Sequence, residues 1–358
     1  MRPERGIDAD LEVDFQVVLS AVRDAGIRYD ALYLVGGFGR GEGSVEYDGR
    51  RWRAVNDYDF FLVGDFGAQE RVKCARLSQQ LASRLGVDFV DLGLFPRTAL
   101  HVAGPSIQNF EFKYGSLRLD GADVLAEMPE ITPAQIPPYE LARLVCNRAA
   151  GMLTADLPEH RDSWRYRRNQ ITKALIAVGD TAVYLAGRYG PRYSDRAQSF
   201  GDVAHAAEVM TLGAREAEQI SAAYEWKLHG REPVEEMAPS VVAALLMRAY
   251  CRIAGRCLGA EVMTPRQAFV DLCRKYGGSF SSVGSRLAGS ILRQKRPVND
   301  REIFYRILFS QPIIYHAERC SRLGTASAYA YCLHAVPCAL RRPWTSLSAV
   351  RLWMENCH

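Results

Sequence analysis

The chain has nine cysteines but no C-x-x-C pair and no dense cysteine framework, which excludes a zinc-ribbon module and a small disulfide scaffold. Cys251, Cys257, Cys332 and Cys338 sit instead in apolar, helix-like surroundings, where reduced cysteine behaves as a small hydrophobe. A reducing cytoplasm is the expected compartment. Long apolar runs are also missing: "APSVVAALLM" at 238–247 is too short to cross a bilayer, and "MRPERGIDADLEVDF" has no signal-like apolar core. Neither export nor membrane insertion is expected. Charge of one sign is scarce, since the net charge is +4 and Lys and Arg are scattered. Composition therefore gives no nucleic-acid footprint, and "RQKR" at 293–296 reads as a solvated helix end. No internal repeat or low-complexity tract occurs. No Gly-Lys-Ser/Thr follows a glycine loop, which removes a Walker-type phosphate site.

What is present is an ordinary globular composition, 48% hydrophobic and 24% charged over 358 residues, enough for two packed units. Phe15, Val18, Leu19 and Val22 have the spacing of an opening helix, with Asp8 or Asp10 available as its cap. "ALYLVGG" then reads as a strand, and "SVEYDGRRWRAVN" as a hairpin turning at Asp-Gly. "DYDFFLVGD" is a second buried strand. Residues 69–85 form a helix with Cys74, Leu77, Leu81 and Leu85 on one face and Gly86 placed to end it. "VDFVDLGLF" at 87–95 is a third strand, and "NFEFKYGSLRLDG" at 109–121 alternates like a fourth.

Residues 127–140 carry four prolines and mark a linker. Beyond it the periodicity is helical, with helices expected at 140–154, 165–187, 214–229, 236–258 and 266–276. The expected fold class is α+β: a mixed-sheet domain over 1–126, the linker, and a mainly α-helical domain over 141–358.

Two local features carry chemistry. "GGFGRGEG" at 36–43 holds five glycines in eight positions directly after a strand, so successive backbone amides can approach an anion such as a phosphate. A dinucleotide-binding turn would open a helix directly, whereas here a hairpin-like insert follows. Downstream, "NDYDFFLV" places Asp57 and Asp59 two apart at the start of a strand. Both carboxylates then share one face, with Tyr58 and Phe60 on the other. In isolation this is equally a polar strand start with its aspartates in water. Beside a phosphate-type loop, paired carboxylates suit a hard divalent cation bridging to phosphate oxygens.

Together "VGGFGRGEG" and "NDYDFFLV" resemble the glycine loop and Asp-x-Asp strand of the nucleotidyltransferase superfamily that includes DNA polymerase beta. The loop is similar to the "GGYGRGE" form of bacterial protein uridylyltransferases, and the resemblance covers residues 32–95. It implies transfer of a nucleoside monophosphate from a nucleoside triphosphate, ATP before UTP or CTP, with two magnesium ions. Gly36 and Gly37 would hold the triphosphate, Arg40 would contact phosphate, and Asp57 and Asp59 would bind metal. A third carboxylate, for metal or for the proton of the attacking hydroxyl, is either Asp88 or Asp91. "VDFV" favours Asp88, and the two lie on opposite faces of a regular strand. Nineteen residues separate Gly37 from Asp57, more than is usual in the family, with the hairpin as the excess. Its Arg50, Arg51 and Arg53 read as exposed arginines.

"KALIAVGDTAVYLAGRYGPRYSDR" is similar to the first long helix and turn of the helical domain in nucleotidyltransferases of the kanamycin and lincosamide type. That resemblance implies Lys173 as a contact to the triphosphate. Lys173 lies off the apolar face set by Ile171, Ala174, Leu175, Val178, Ala182 and Leu185, and Asp180 falls on nearly the same stripe as the lysine. Asp180, Tyr193 and Arg196 are expected to fix the following turn, and Asn147 and Arg148 to approach the cleft. The expected acceptor is a small-molecule hydroxyl. A protein target, second-messenger synthesis and a non-catalytic antitoxin-like role are the alternatives, the last disfavoured by intact Asp57 and Asp59.

Overall fold

The computed structural model describes residues 4–55, 57–154, 163–204, 206, 210–230 and 237–260. The helix expected at 266–276 lies outside them. The fold is α+β. The described residues fall into two compact units, one made of those within 4–136, 189–198 and 225–230, the other of those within 137–188, 199–224 and 237–260. Chain therefore passes from the first unit to the second at Ile136, inside the proline-rich stretch. Met128, Ile131 and Ile136 of that stretch are buried rather than solvated.

The first unit opens with α1 (Glu4–Asp24) and β1 (Ala31–Val35), followed by a helical turn, α2 (Gly36–Gly39). A hairpin of β2 (Val45–Tyr47) and β3 (Trp52–Ala54) precedes β4 (Asp57–Gly64). Next come α3 (Ala68–Leu85), β5 (Phe89–Pro96), α4 (Ile107–Gly115) and β6 (Leu117–Gly121). The four-stranded sheet runs β5-β4-β1-β6, with β4 and β5 parallel and the other neighbours antiparallel.

Alternation along the strands builds two cores. Tyr58, Phe60 and Leu62 of β4, with Leu32, Leu34, Val90 and Leu92, pack against α1 and α3. Cys74, Leu77, Leu81 and Leu85 are the buried face of α3, and Gly86 closes it in the left-handed conformation at φ 70. The opposite face carries Tyr33, Phe61, Val63 and Phe95, and Phe112 of α4 covers it. Ring centroids of Phe112 lie 5.5, 5.0 and 5.2 Å from Tyr33, Phe61 and Phe95. Burying that ring contributes about 2–3 kcal/mol.

Three expectations change here. The segment 109–121 is not one alternating strand, because residues 107–115 are α4 and only 117–121 pair in the sheet. Ser106 Oγ accepts a hydrogen bond from the Asn109 amide at 3.0 Å, an N-cap, and a six-residue alternation fits either period until the ring of Phe112 finds its cover. Asp8 and Asp10 do not cap α1, which begins at Glu4. Asp10 instead accepts from the Trp52 amide at 2.8 Å and ties the hairpin down. Nor are the hairpin arginines idle: Arg51 pairs with Asp14 at 2.7 Å, and Arg53 pairs with Asp48.

The second unit contains α5 (Pro138–Thr154), α6 (Trp164–Leu185) and α9 (Pro239–Leu258), while α7 (Tyr193–Val203) and α8 (Ala214–His229) are each divided between the units. The helix α7 was not expected from the sequence. Helices α5, α6 and α9 pack together, and Val145, Ala149, Val178 and Leu246 on them are buried. The α6 helix is buried on more than one stripe, and Asp180, only 3% exposed, accepts a hydrogen bond from Tyr224 Oη at 2.7 Å. Asp180 therefore does not share an exposed surface with Lys173, which is half-buried. Among the described residues no helix is long and apolar enough to cross a membrane.

Candidate functional site

The carboxylates and the glycine turn meet at one end of the sheet, because β1 ends where β4 begins. Val35 is the register partner of Asp59, so the first residue after β1 lands beside that aspartate. Asp57, Asp59 and Phe61 alternate with buried Tyr58 and Phe60, which puts both carboxylates on the α4 side of the sheet. Gly36 has φ +63, and a methyl group added there would come within 2.3 Å of Asp59 Oδ2. The turn can sit on the carboxylate only because residue 36 has no side chain. Gly39 is held as closely, since its added methyl would lie 2.3 Å from the Leu34 carbonyl oxygen.

Strand register decides which of Asp88 and Asp91 lies beside Asp59. In the parallel pair, Asp59 faces Asp91, and Asp57 faces Phe89. Register partners project to the same side, so Asp57, Asp59 and Asp91 share one face. Asp88, the residue favoured from sequence, precedes β5 in a bend and has the parity of Val90 and Leu92, which point to the other core. Asp91 thus replaces it beside Asp59. An open groove of about 670 Å³ runs between α3 and the edge strand β5, and both Asp88 and Asp91 line it with Ser78, Gln79 and Phe89.

The donor set suits a hard cation, since carboxylates supply oxygen ligands only. Among the described residues no three acidic, His or Cys side chains converge into a ready-made metal cage. Magnesium does not require one, because it commonly takes one or two carboxylates and completes its shell with water and substrate phosphates.

Arg40 has a different environment from that expected of a phosphate contact. It is 9% exposed, its Nη1 donates to Glu111 Oε2 of α4 at 3.0 Å, and its guanidinium lies 4.8 Å from the Tyr193 ring centroid. Arg196, 1% exposed, donates to Glu111 Oε1 at 2.7 Å, and its guanidinium lies 4.5 Å from the centroid of the same Tyr193 ring. Desolvation opposes ionisation of Glu111, but the adjacent Arg40 and Arg196 charges outweigh it and hold the carboxyl below its usual range. The importance of Glu111 was not legible in the sequence, because its segment reads as a strand. Of the residues expected to fix the turn after α6, Arg196 donates to Tyr189 Oη within that turn, Tyr193 opens α7 with its ring against Arg40 and Arg196, and Asp180 bonds Tyr224 instead. Lys173, Asn147 and Arg148 belong to the second unit.

The contact between residue 36 and Asp59 gives a direct prediction. Gly36→Ala must hold a left-handed backbone and displace the Asp59 carboxylate, at a cost of about 1–2 kcal/mol from the backbone alone. Urea unfolding should register that loss, and unchanged stability would show that the turn can relax away from Asp59. Comparison of the chain with protein-family models, curated proteins and solved structures found no match.

Proposed function

We propose that the chain is a magnesium-dependent nucleotidyltransferase, moving a nucleoside monophosphate from a nucleoside triphosphate, ATP being the favoured donor, to a hydroxyl of a small molecule. The observation that carries this reading is the Gly36 turn seated against Asp59, with Asp91 in register alongside. A phosphate-accepting backbone and three carboxylates on one face form an arrangement suited to a phosphorylated ligand accompanied by a cation.

In this proposal the leading amides of α2, which have no acceptor within their own turn, bind phosphate oxygens. Asp57 and Asp59 would hold magnesium, with Asp91 completing the set. Bound magnesium supplies neutralisation of charge on the phosphates and alignment of the leaving group. The acceptor oxygen attacks the α-phosphorus in line, the bond to the bridging oxygen breaks, and pyrophosphate leaves. In this proposal the hydroxyl proton passes to a carboxylate, the role assigned to Asp91 because it pairs in register with Asp59. No covalent enzyme intermediate is required.

The test is to offer the purified chain each of the four labelled ribonucleoside triphosphates with magnesium and a metabolite extract. Magnesium-dependent binding, pyrophosphate release and one labelled product of mass increased by a nucleotidyl group are expected. Chelation with EDTA should weaken triphosphate binding about a hundredfold or more, since the ligand's charge would then face bare carboxylates. Equal affinity with and without EDTA would remove the reading.

A further inference from the structure

The glycine turn is held from both sides, and the second hold is made by residues distant in sequence. Its first contact is Gly36 on Asp59. At its other end, Glu42 Oε2 accepts from the Tyr193 amide, and Glu42 Oε1 accepts from the Ser194 amide and from Ser194 Oγ, each at 2.8 Å. Arg40 Nε approaches Glu42 at 3.4 Å, an ion pair too poorly aligned to be a hydrogen bond, while Arg40 Nη1 reaches Glu111. Glu111 is shared with Arg196, and Arg196 Nη1 also donates to Tyr189 Oη at 2.6 Å. Tyr189 Oη in turn donates to Glu111 at 3.3 Å. All these residues belong to the first unit, which residues 189–198 rejoin.

We infer that Arg40, Glu42, Glu111 and Arg196 are positioning residues that hold the glycine turn in its phosphate-accepting shape. This rests on the triphosphate reading for its consequence, but not for the mechanical role. The two charged residues of "GRGE" face inward, Arg40 onto Glu111 and Glu42 onto the backbone at 193–194. The turn's backbone is left as the surface that meets a ligand. A planar guanidinium stacked on Tyr193 and bonded to Glu111 is fixed in place, whereas a phosphate-binding arginine needs its fork turned toward the ligand.

The two roles of Arg40 predict opposite signs for Glu111→Gln. Were Arg40 a phosphate ligand, removing its internal carboxylate partner would release it and tighten triphosphate binding. As a positioning residue, it loses its anchor, the turn loosens and binding weakens. Hydrogen exchange of amides 36–43 and affinity for magnesium–ATP should be measured together in the full chain.

Glu111→Gln is expected to raise turn exchange and the magnesium–ATP Kd about tenfold, the scale of one charge-assisted hydrogen bond, with kcat at saturation changed far less. Tyr189→Phe, which removes a single hydroxyl, should shift both in the same direction by a smaller amount, and it decides the question if Glu111→Gln does not fold. Unchanged exchange at 36–43, or tighter magnesium–ATP binding, in the folded variant overturns the inference. If wild type does not bind magnesium–ATP, the functional reading fails, and the exchange measurement alone still decides the clamp.

Discussion

Asp59→Asn and Asp91→Asn are each expected to lower the proposed nucleotidyl transfer about a thousandfold, while Asp88→Asn stays within about twofold of wild type. The contrast follows from register. Asp91 is paired with Asp59 across the parallel β4/β5 ladder and projects to the same face, whereas Asp88 lies before the strand with the opposite parity. Asparagine keeps the size and shape of the side chain, so the sheet should persist, and only the negative charge is lost. Initial rates under saturating magnesium, with thermal melts as the control for folding, make the measurement. Collapse of activity in Asp88→Asn with survival of Asp91→Asn would reverse the assignment of the third carboxylate. Retention of full activity in Asp59→Asn would remove the catalytic reading altogether.

The second large effect concerns the scaffold. Asp14 of α1 is 1% exposed and is bonded on one oxygen to Arg51 of the hairpin at 2.7 Å and on the other to Tyr58 Oη at 2.9 Å. Burial first, and the Asp14 charge second, push the Tyr58 hydroxyl far above its ordinary pKa, so it stays protonated and donates. Asp14→Ala strands that hydroxyl in the core, at about 1–3 kcal/mol, and dissolves a partly exposed ion pair worth about 1 kcal/mol or less. A total near 3 kcal/mol is expected, read as a lower urea midpoint with the m-value unchanged. Adding Tyr58→Phe to Asp14→Ala removes the stranded group and should recover about 1 kcal/mol. If Asp14→Ala unfolds at the wild-type urea concentration, the network contributes nothing. If the double variant is no better than the single, the loss lies in the ion pair and not in the hydroxyl.

The parts of the fold legible in the sequence are those governed by local periodicity. Alternation in "DYDFFL" places Asp57 and Asp59 opposite Tyr58 and Phe60, and the side chains are partitioned that way between the two faces of β4. Spacing in 69–85 selects Cys74, Leu77, Leu81 and Leu85, and these are the buried residues of α3. The hairpin after the loop and the α8 helix at 214–229 also follow from local pattern. In each case the deciding interactions lie within one turn or one pleat, so a window of a few residues contains the information.

Tertiary structure decided what depends on distant partners. Asp91 stands beside Asp59 because two strands separated by α3 pair in one register, and a shift of one residue would have exchanged it for a neighbour. Residues 107–115 are helical because Phe112 finds cover against Tyr33, Phe61 and Phe95, which no local pattern announces. Arg40, expected to contact phosphate, and Asp180, expected on one stripe with Lys173, are both buried, with Arg40 donating to Glu111 and Asp180 accepting from Tyr224. The sequence alone determined that a glycine turn and paired aspartates follow one another at strand ends. Only the folded chain determined that the turn rests on Asp59 and is held by Glu111 and residues 193–196, because those contacts join segments far apart in sequence.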